Sequence, residues 1–177
     1  YEPRLAQASY WLRCQRATPP ALHEETRKLL QQLLAEKPDE PRALFALGFS
    51  LLKKSPAMKA EGFETLERLA RNPAFAAVAW MEIGWERRFR GEFAKAEEAA
   101  DKSIAATPYW NNLGLKIGLA LEWRVDTALA LATLRRMPPA VLQEDFGIGF
   151  ADLGYDWSRQ QSARLTFLNS VPKEWLN

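Results

Sequence analysis

Along the 177-residue chain, apolar side chains recur three and four positions apart: Leu29, Leu30, Leu33 and Leu34 in one stretch, Phe63, Leu66, Leu69 and Ala70 in another. That spacing lines one face of a helix and fits no strand. Charged residues fill the opposite positions, and proline-containing connectors interrupt the pattern at "ATPP", "KPDEP", "RNPAF", "RMPPA" and "NSVPK". The pattern predicts five helix pairs, about 4–16 with 20–36, 40–54 with 57–71, 75–89 with 92–106, 109–123 with 125–137, and 140–154 with 156–169. Beyond the last helix, "VPKEWLN" carries Trp175 and Leu176 and is expected to pack as a C-terminal cap over 173–177.

Inside these helices sit glycines that helix propensity argues against, since glycine costs roughly 1 kcal/mol relative to alanine in a helix interior. They share a context, aliphatic then glycine then large apolar: "ALGF", "EIGW", "KIGL" and "GIGF", centred on Gly48, Gly84, Gly118 and Gly149. Cys14, another small residue, precedes Gly48, and the successive intervals are 34, 36, 34 and 31 residues. Pro38, Pro73, Pro108, Pro139 and Pro172 follow the same beat, at spacings of 35, 35, 31 and 33. Each of the first four prolines lies 10 or 11 residues before the next glycine. Self-similarity at such a period is the mark of a helical repeat array, in which a residue at a close helix crossing must be small.

The clearest copy, Ala77 to Tyr109, resembles a tetratricopeptide repeat. Trp80, Ile83 and Gly84 match the aromatic, aliphatic and small positions of that family's first helix, and Gly91 and Phe93 match its turn. Ala96 and Ala100 fall on the small and bulky sites of the second helix, Ser103 on a further small site and Pro108 on the terminal proline, while Arg87 stands where an aromatic is usual. Tyr10, Thr26, Leu30, Leu33 and Pro38 keep the spacing in the first copy, the second carries extra residues around "KKSPAMKAEGF", the fourth is short and the fifth keeps little beyond "GIGF". The resemblance implies an all-α solenoid, a right-handed superhelix of antiparallel pairs forming one domain over 1–177. Its units would span about 4–38, 39–73, 74–108, 109–139 and 140–172.

Composition narrows the function classes. With 47% hydrophobic and 26% charged residues the chain has the make-up of a soluble folded protein, and no apolar run is long enough for a membrane span. A net charge of +2 gives no ground for direct nucleic-acid binding. Arg87, Arg88 and Arg90 are interleaved with Glu82, Glu86 and Glu92, as on a solvated helix face. One cysteine, Cys14, and one histidine, His23, leave no metal-ligand set, internal disulfide or Cys/His catalytic pair. "GFADLG" lacks the strand and phosphate-binding context of a nucleotide loop, and Asp145, Asp152 and Asp156 read as solvated acids. No catalytic residue, metal or cofactor is expected. The chain opens on Tyr1 without a signal-peptide pattern, so it is expected to be a piece of a longer protein, with the cytoplasm as the default compartment.

In tetratricopeptide proteins the first helices line a concave groove, and the residues three before and one after the small position commonly face it. Carried over, these are Phe45 and Phe49, Met81 and Trp85, Leu115 and Leu119, and Phe146 and Phe150, with Trp11 and Gln15 in the first unit. The two offsets share one helix face, so they form an apolar ladder. Arg42, Lys53 and Arg88 are expected at its rim, opposed by Glu122. The resemblance thus implies a non-catalytic scaffold whose groove takes an amphipathic helix or apolar peptide of a protein partner. The alternatives are that a tight superhelix buries these residues as ordinary core or that the rest of the chain occupies the groove; a homo-oligomer or contact with other domains of the same chain also stands among the expected partners. The stretch Tyr10 to Phe49, with its connector "RATPP" leading into a helix and then "EKPDEPRALFALG", also looks like the repeat modules that follow a winged-helix DNA-binding domain in bacterial transcriptional regulators, which would make this a sensor or dimerisation domain with DNA contact made elsewhere in the chain.

Overall fold

The computed structural model describes residues 1–13, 20–52, 56–137, 166 and 169–171. Among the described residues the chain is helical, without a strand: α1 (Glu2–Arg13), α2 (Pro20–Glu36), α3 (Pro41–Leu52), α4 (Pro56–Leu69), α5 (Pro73–Phe89), α6 (Phe93–Ala106), α7 (Trp110–Leu119) and α8 (Thr127–Leu134), with a π-helical turn over Ala120–Arg124 between α7 and α8. These correspond to the first eight expected helices. The helix expected over 140–154, most of that over 156–169, and the tail with Trp175 and Leu176 lie outside the described residues.

Local chemistry explains the boundaries. Four helices open on proline, whose fixed φ suits the first turn and whose missing N–H would have had no partner there. Asn72 caps α5 by accepting the Ala74 N–H at 3.1 Å, and Asp126 caps α8 by accepting the Leu129 N–H at 2.8 Å. The turn from α5 into α6 rests on Gly91 at φ +72°. Its N–H donates to the Arg88 carbonyl and that of Glu92 to the Arg87 carbonyl, both at 2.9 Å. This paired closure needs a left-handed residue, which glycine adopts without a steric cost.

The chain divides into two compact units, Tyr1–Glu82 and Ile83–Asn177, and the division falls within α5. In the first unit α1 packs on α2 and α3, α2 on α3, and α3 on α4. The stripes of α2 and α3 meet α1 in a core of Leu5, Ala8, Leu30, Leu33, Ala43, Ala46, Leu47 and Leu51. In the second unit α6 packs on α7, and α7 on the π-turn and α8. One of its clusters joins Ile117, Ala120, Leu121, Ala130 and Leu134 with Val171. Another joins Ala96 and Ala100 of α6 to Leu115 and Leu119 of α7, with Trp85 and Phe93 against them.

Glycines mark the closest crossings. A Cβ on Gly48 would lie 2.7 Å from Leu66 Cγ, and one on Gly62 would lie 3.1 Å from the Gly48 carbonyl oxygen. The backbones of α3 and α4 thus face each other through two glycines. A Cβ on Gly84 would lie 2.6 Å from Leu115 Cδ2 and 3.4 Å from the Ala96 carbonyl oxygen. The propensity cost of about 1 kcal/mol per glycine is smaller than the roughly 1.5–3 kcal/mol released by fully burying a leucine such as Leu66 or Leu115.

Two substitutions should therefore move stability in opposite directions. Gly48→Ala should lower it by about 1–3 kcal/mol through overpacking. Gly114→Ala, in α7 with no atom within 4 Å of the added carbon, should raise it by roughly 0.4–1 kcal/mol. Urea unfolding of both variants measures this, and the same sign for both would refute the close-crossing role of Gly48.

Candidate functional site

The expected groove positions divide between surface and interior. In the first unit Phe45 and Phe49 are half-buried on α3, one turn apart, with ring centroids 6.0 Å apart and planes 23° from parallel. Met81 on α5 is interior. In the second unit Trp85 is half-buried, but Leu115 and Leu119 are both 0% exposed. Leu115 occupies the space that Gly84 leaves open, and Leu119, one turn further on the same face of α7, joins it against Ala96 and Ala100. The small residue that admits the close crossing is what draws this leucine pair inside. Phe146, Phe150, Lys53, Gln15 and the side chain of Trp11 lie outside the described residues.

The charged positions also have definite partners. Arg42 is exposed in the first unit and donates to Glu2 at 2.7 Å and Glu40 at 3.0 Å. Arg88, read from the sequence as a rim cation on a solvated face, is instead an interior residue whose side chain keeps 4% exposure. Its Nε donates to Glu122 Oε2 at 2.7 Å, so the acid expected to oppose it across a rim is its ion-pair partner. The guanidinium carbon lies 5.1 Å from the Trp85 ring centroid. The physical reason is register: Arg88 follows Trp85 by three residues, so the two share a face of α5, and that face meets the π-turn carrying Glu122.

Trp85 anchors the surroundings. Its Nε1–H donates to Asn111 Oδ1 at 3.1 Å, and Phe89 stacks on it at 6.0 Å. Phe89 is 60% exposed and Trp110 45% exposed. Neither was singled out from the sequence, although Phe89 follows Trp85 by four residues and that spacing was a usable signal. Asn112 is fully buried and satisfied: its amide donates to Ser103 Oγ and the Thr107 carbonyl, each at 2.9 Å, and accepts the Tyr109 N–H at 2.9 Å. It holds the α6–α7 turn, and "TPYWNN" gives no hint of which asparagine does so.

The π-turn also departs from the regular helix expected through residue 123. The Ala120 carbonyl accepts both the Val125 and Asp126 N–H groups, and Val125 closes the turn in the left-handed region at φ 54°. A β-branched residue there is strained. Nearby, Glu97 of α6 accepts from Lys116 at 3.0 Å and from Arg124 at 2.7 Å, tying α6 to α7 and to the π-turn. Burial alone raises the Glu97 pKa, but the hydrogen bonds from Arg124 and Lys116 more than reverse this, and the carboxyl lies below its ordinary value.

Around Trp85 the second unit thus gathers aromatic faces, an ion pair and amide groups. Among the described residues no group of three or more His, Cys, Asp or Glu side chains is placed to hold a metal ion, and no helix is long and apolar enough to cross a membrane. Comparison of the chain with protein-family models, curated proteins and solved structures finds no match.

Two outcomes follow from the π-turn and its ties. Val125→Gly should raise stability by roughly 0.5–1 kcal/mol, the left-handed strain less glycine's entropy cost, as read by thermal or urea unfolding. A loss instead would mean that Val125 packs more than it strains. Because the folded Glu97 pKa is depressed, its contribution is present above the ordinary glutamate value of about 4.3 and is lost as pH falls through the folded pKa. Glu97→Gln should flatten that acid limb of a stability-versus-pH curve, and an unchanged slope would show that other carboxylates control it.

Proposed function

We propose that the chain is a non-catalytic interaction module of the tetratricopeptide type that holds an apolar segment of a protein partner. The observation that carries this reading is the aromatic pair on each of two helices: Phe45 with Phe49 on α3 and Trp85 with Phe89 on α5, each stacked at 6.0 Å. Three of these four residues stand at positions that the family's concave face uses. Stacked rings that stay partly uncovered present flat apolar area at little cost in side-chain entropy, the surface that a peptide's apolar anchors need.

The close crossings at Gly48 and Gly84, and the packing of α1 on α2, α2 on α3, α3 on α4, α6 on α7 and α7 on α8, accord with this reading. Leu115 and Leu119, expected to face the groove, are interior instead, so the reading rests on the aromatic rings. Those two residues serve as support beneath the face, and the aromatic rings are the contact.

Selection of a phage-displayed peptide library on the wild-type chain tests the proposal. Wild type should enrich peptides with apolar anchors, and Phe49→Ala should weaken those bound by the first unit, Trp85→Ala those bound by the second, by at least about tenfold, the range of an interface anchor, while circular dichroism shows the variants folded. Folded variants that retain full affinity, or a selection that enriches nothing, would sink it.

A further inference from the structure

The ion pair between Arg88 of α5 and Glu122 of the π-turn has one unfinished bond. Arg88 Nε is satisfied by Glu122, but Nη1 is buried without a hydrogen-bond partner. A buried donor left unmade on a charged group is expensive, and this one lies at the strained π-turn beside the Trp85–Phe89 stack. The polar edge of Trp85 is already engaged by Asn111, so the indole offers the guanidinium only its face. We infer that Arg88 Nη1 is a docking donor for an uncharged carbonyl oxygen of a bound polypeptide, a reading that rests on the proposed interaction role and names what the partner presents.

Charge decides the class of acceptor. Glu122 already balances the guanidinium at 2.7 Å. A second carboxylate would leave two negative charges on one cation in a poorly solvated place, where their repulsion and desolvation oppose binding. An amide carbonyl fills Nη1 and adds no charge. Carbonyls inside a helix are already bonded within it, so the acceptor belongs to an extended stretch or to the last turn of a helix. The Trp85 ring lies on the guanidinium and Phe89 stacks on that ring, 60% exposed. Nη1 is closed to solvent in this arrangement, so the incoming carbonyl reaches it through a local displacement of side chains, and the exposed Phe89 ring beside it offers a face to the partner's apolar side chain.

The test compares two isosteric probes, isobutyramide and isobutyrate, titrated into the 15N-labelled chain at constant ionic strength. The Arg88 guanidinium N–H resonances, assigned by their loss in Arg88→Lys, are followed by NMR. Isobutyramide should shift them saturably, with isobutyrate at least about tenfold weaker, as like-charge juxtaposition requires. In Glu122→Gln, which keeps an acceptor for Nε, the preference should reverse. If that variant does not fold, the wild-type comparison alone decides. Carboxylate preference in wild type, or no saturable Arg88 shift with either probe, would overturn the inference. The two readings fail separately: peptides that depend on Trp85 yet bind Arg88→Lys at full affinity would remove the docking donor and leave the interaction reading standing.

Discussion

Backbone-to-backbone closeness at the helix crossings is the constraint from which the rest of the arrangement follows. Where α3 meets α4, Gly48 and Gly62 face each other so tightly that either added carbon would stand within about 3 Å of its neighbour. Where α5 meets α6 and α7, Gly84 leaves space that Leu115 fills. Once the helices lie that close, the side chains on either side of the contact have little choice. Those at the crossing are buried to exclude space, as in any close-packed interior, and those a third of a turn away remain as partly covered surface. The division of α7 and α5 residues into interior leucines and outward rings is a consequence of this distance.

Electrostatics in the second unit is arranged around the same packing. Arg88 and Glu97 are both drawn inward, and each is met by opposite charge: Glu122 for the first, Lys116 and Arg124 for the second. Arg88 is the buried member, and a buried pair is a poor source of net stability because desolvation offsets much of the attraction, while the half-exposed Arg124 is screened by solvent and contributes less. Their effect is therefore to specify geometry. Both pairs reach the π-turn, whose extra residue and left-handed Val125 redirect the chain from α7 into α8. Unusual helical turns recur where a protein positions functional groups, and here the turn presents Glu122 to Arg88.

Much of the architecture was legible in the residues. Proline at helix starts, the leucine stripes of α2 and the alternation of helix with short connector all act over a few residues, so local chemistry determines them. Gly48 and Gly84 were legible as positions of close approach because a helix-breaking residue surrounded by helix formers has to be compensated by packing. The candidate site was legible only in part. Phe45, Phe49 and Trp85 stand on partly open faces, while Met81, Leu115 and Leu119 do not, although all six are large and apolar at equivalent offsets. Periodicity finds a helix face but cannot say which neighbour that face meets.

Sequence alone thus determined the helical class, the approximate extents of the described helices and the close approaches at Gly48 and Gly84, since each depends on residues within a turn or two of one another. Only the tertiary structure decided that Leu115 lies beneath Gly84, that Arg88 is committed to Glu122 thirty-four residues away, that Asn112 and not Asn111 holds the α6–α7 turn, and that the helix after Leu119 widens into a π-turn. Those outcomes turn on distances between separate helices, where a shift of an ångström moves a side chain from surface to core, and no pattern within one helix encodes that distance.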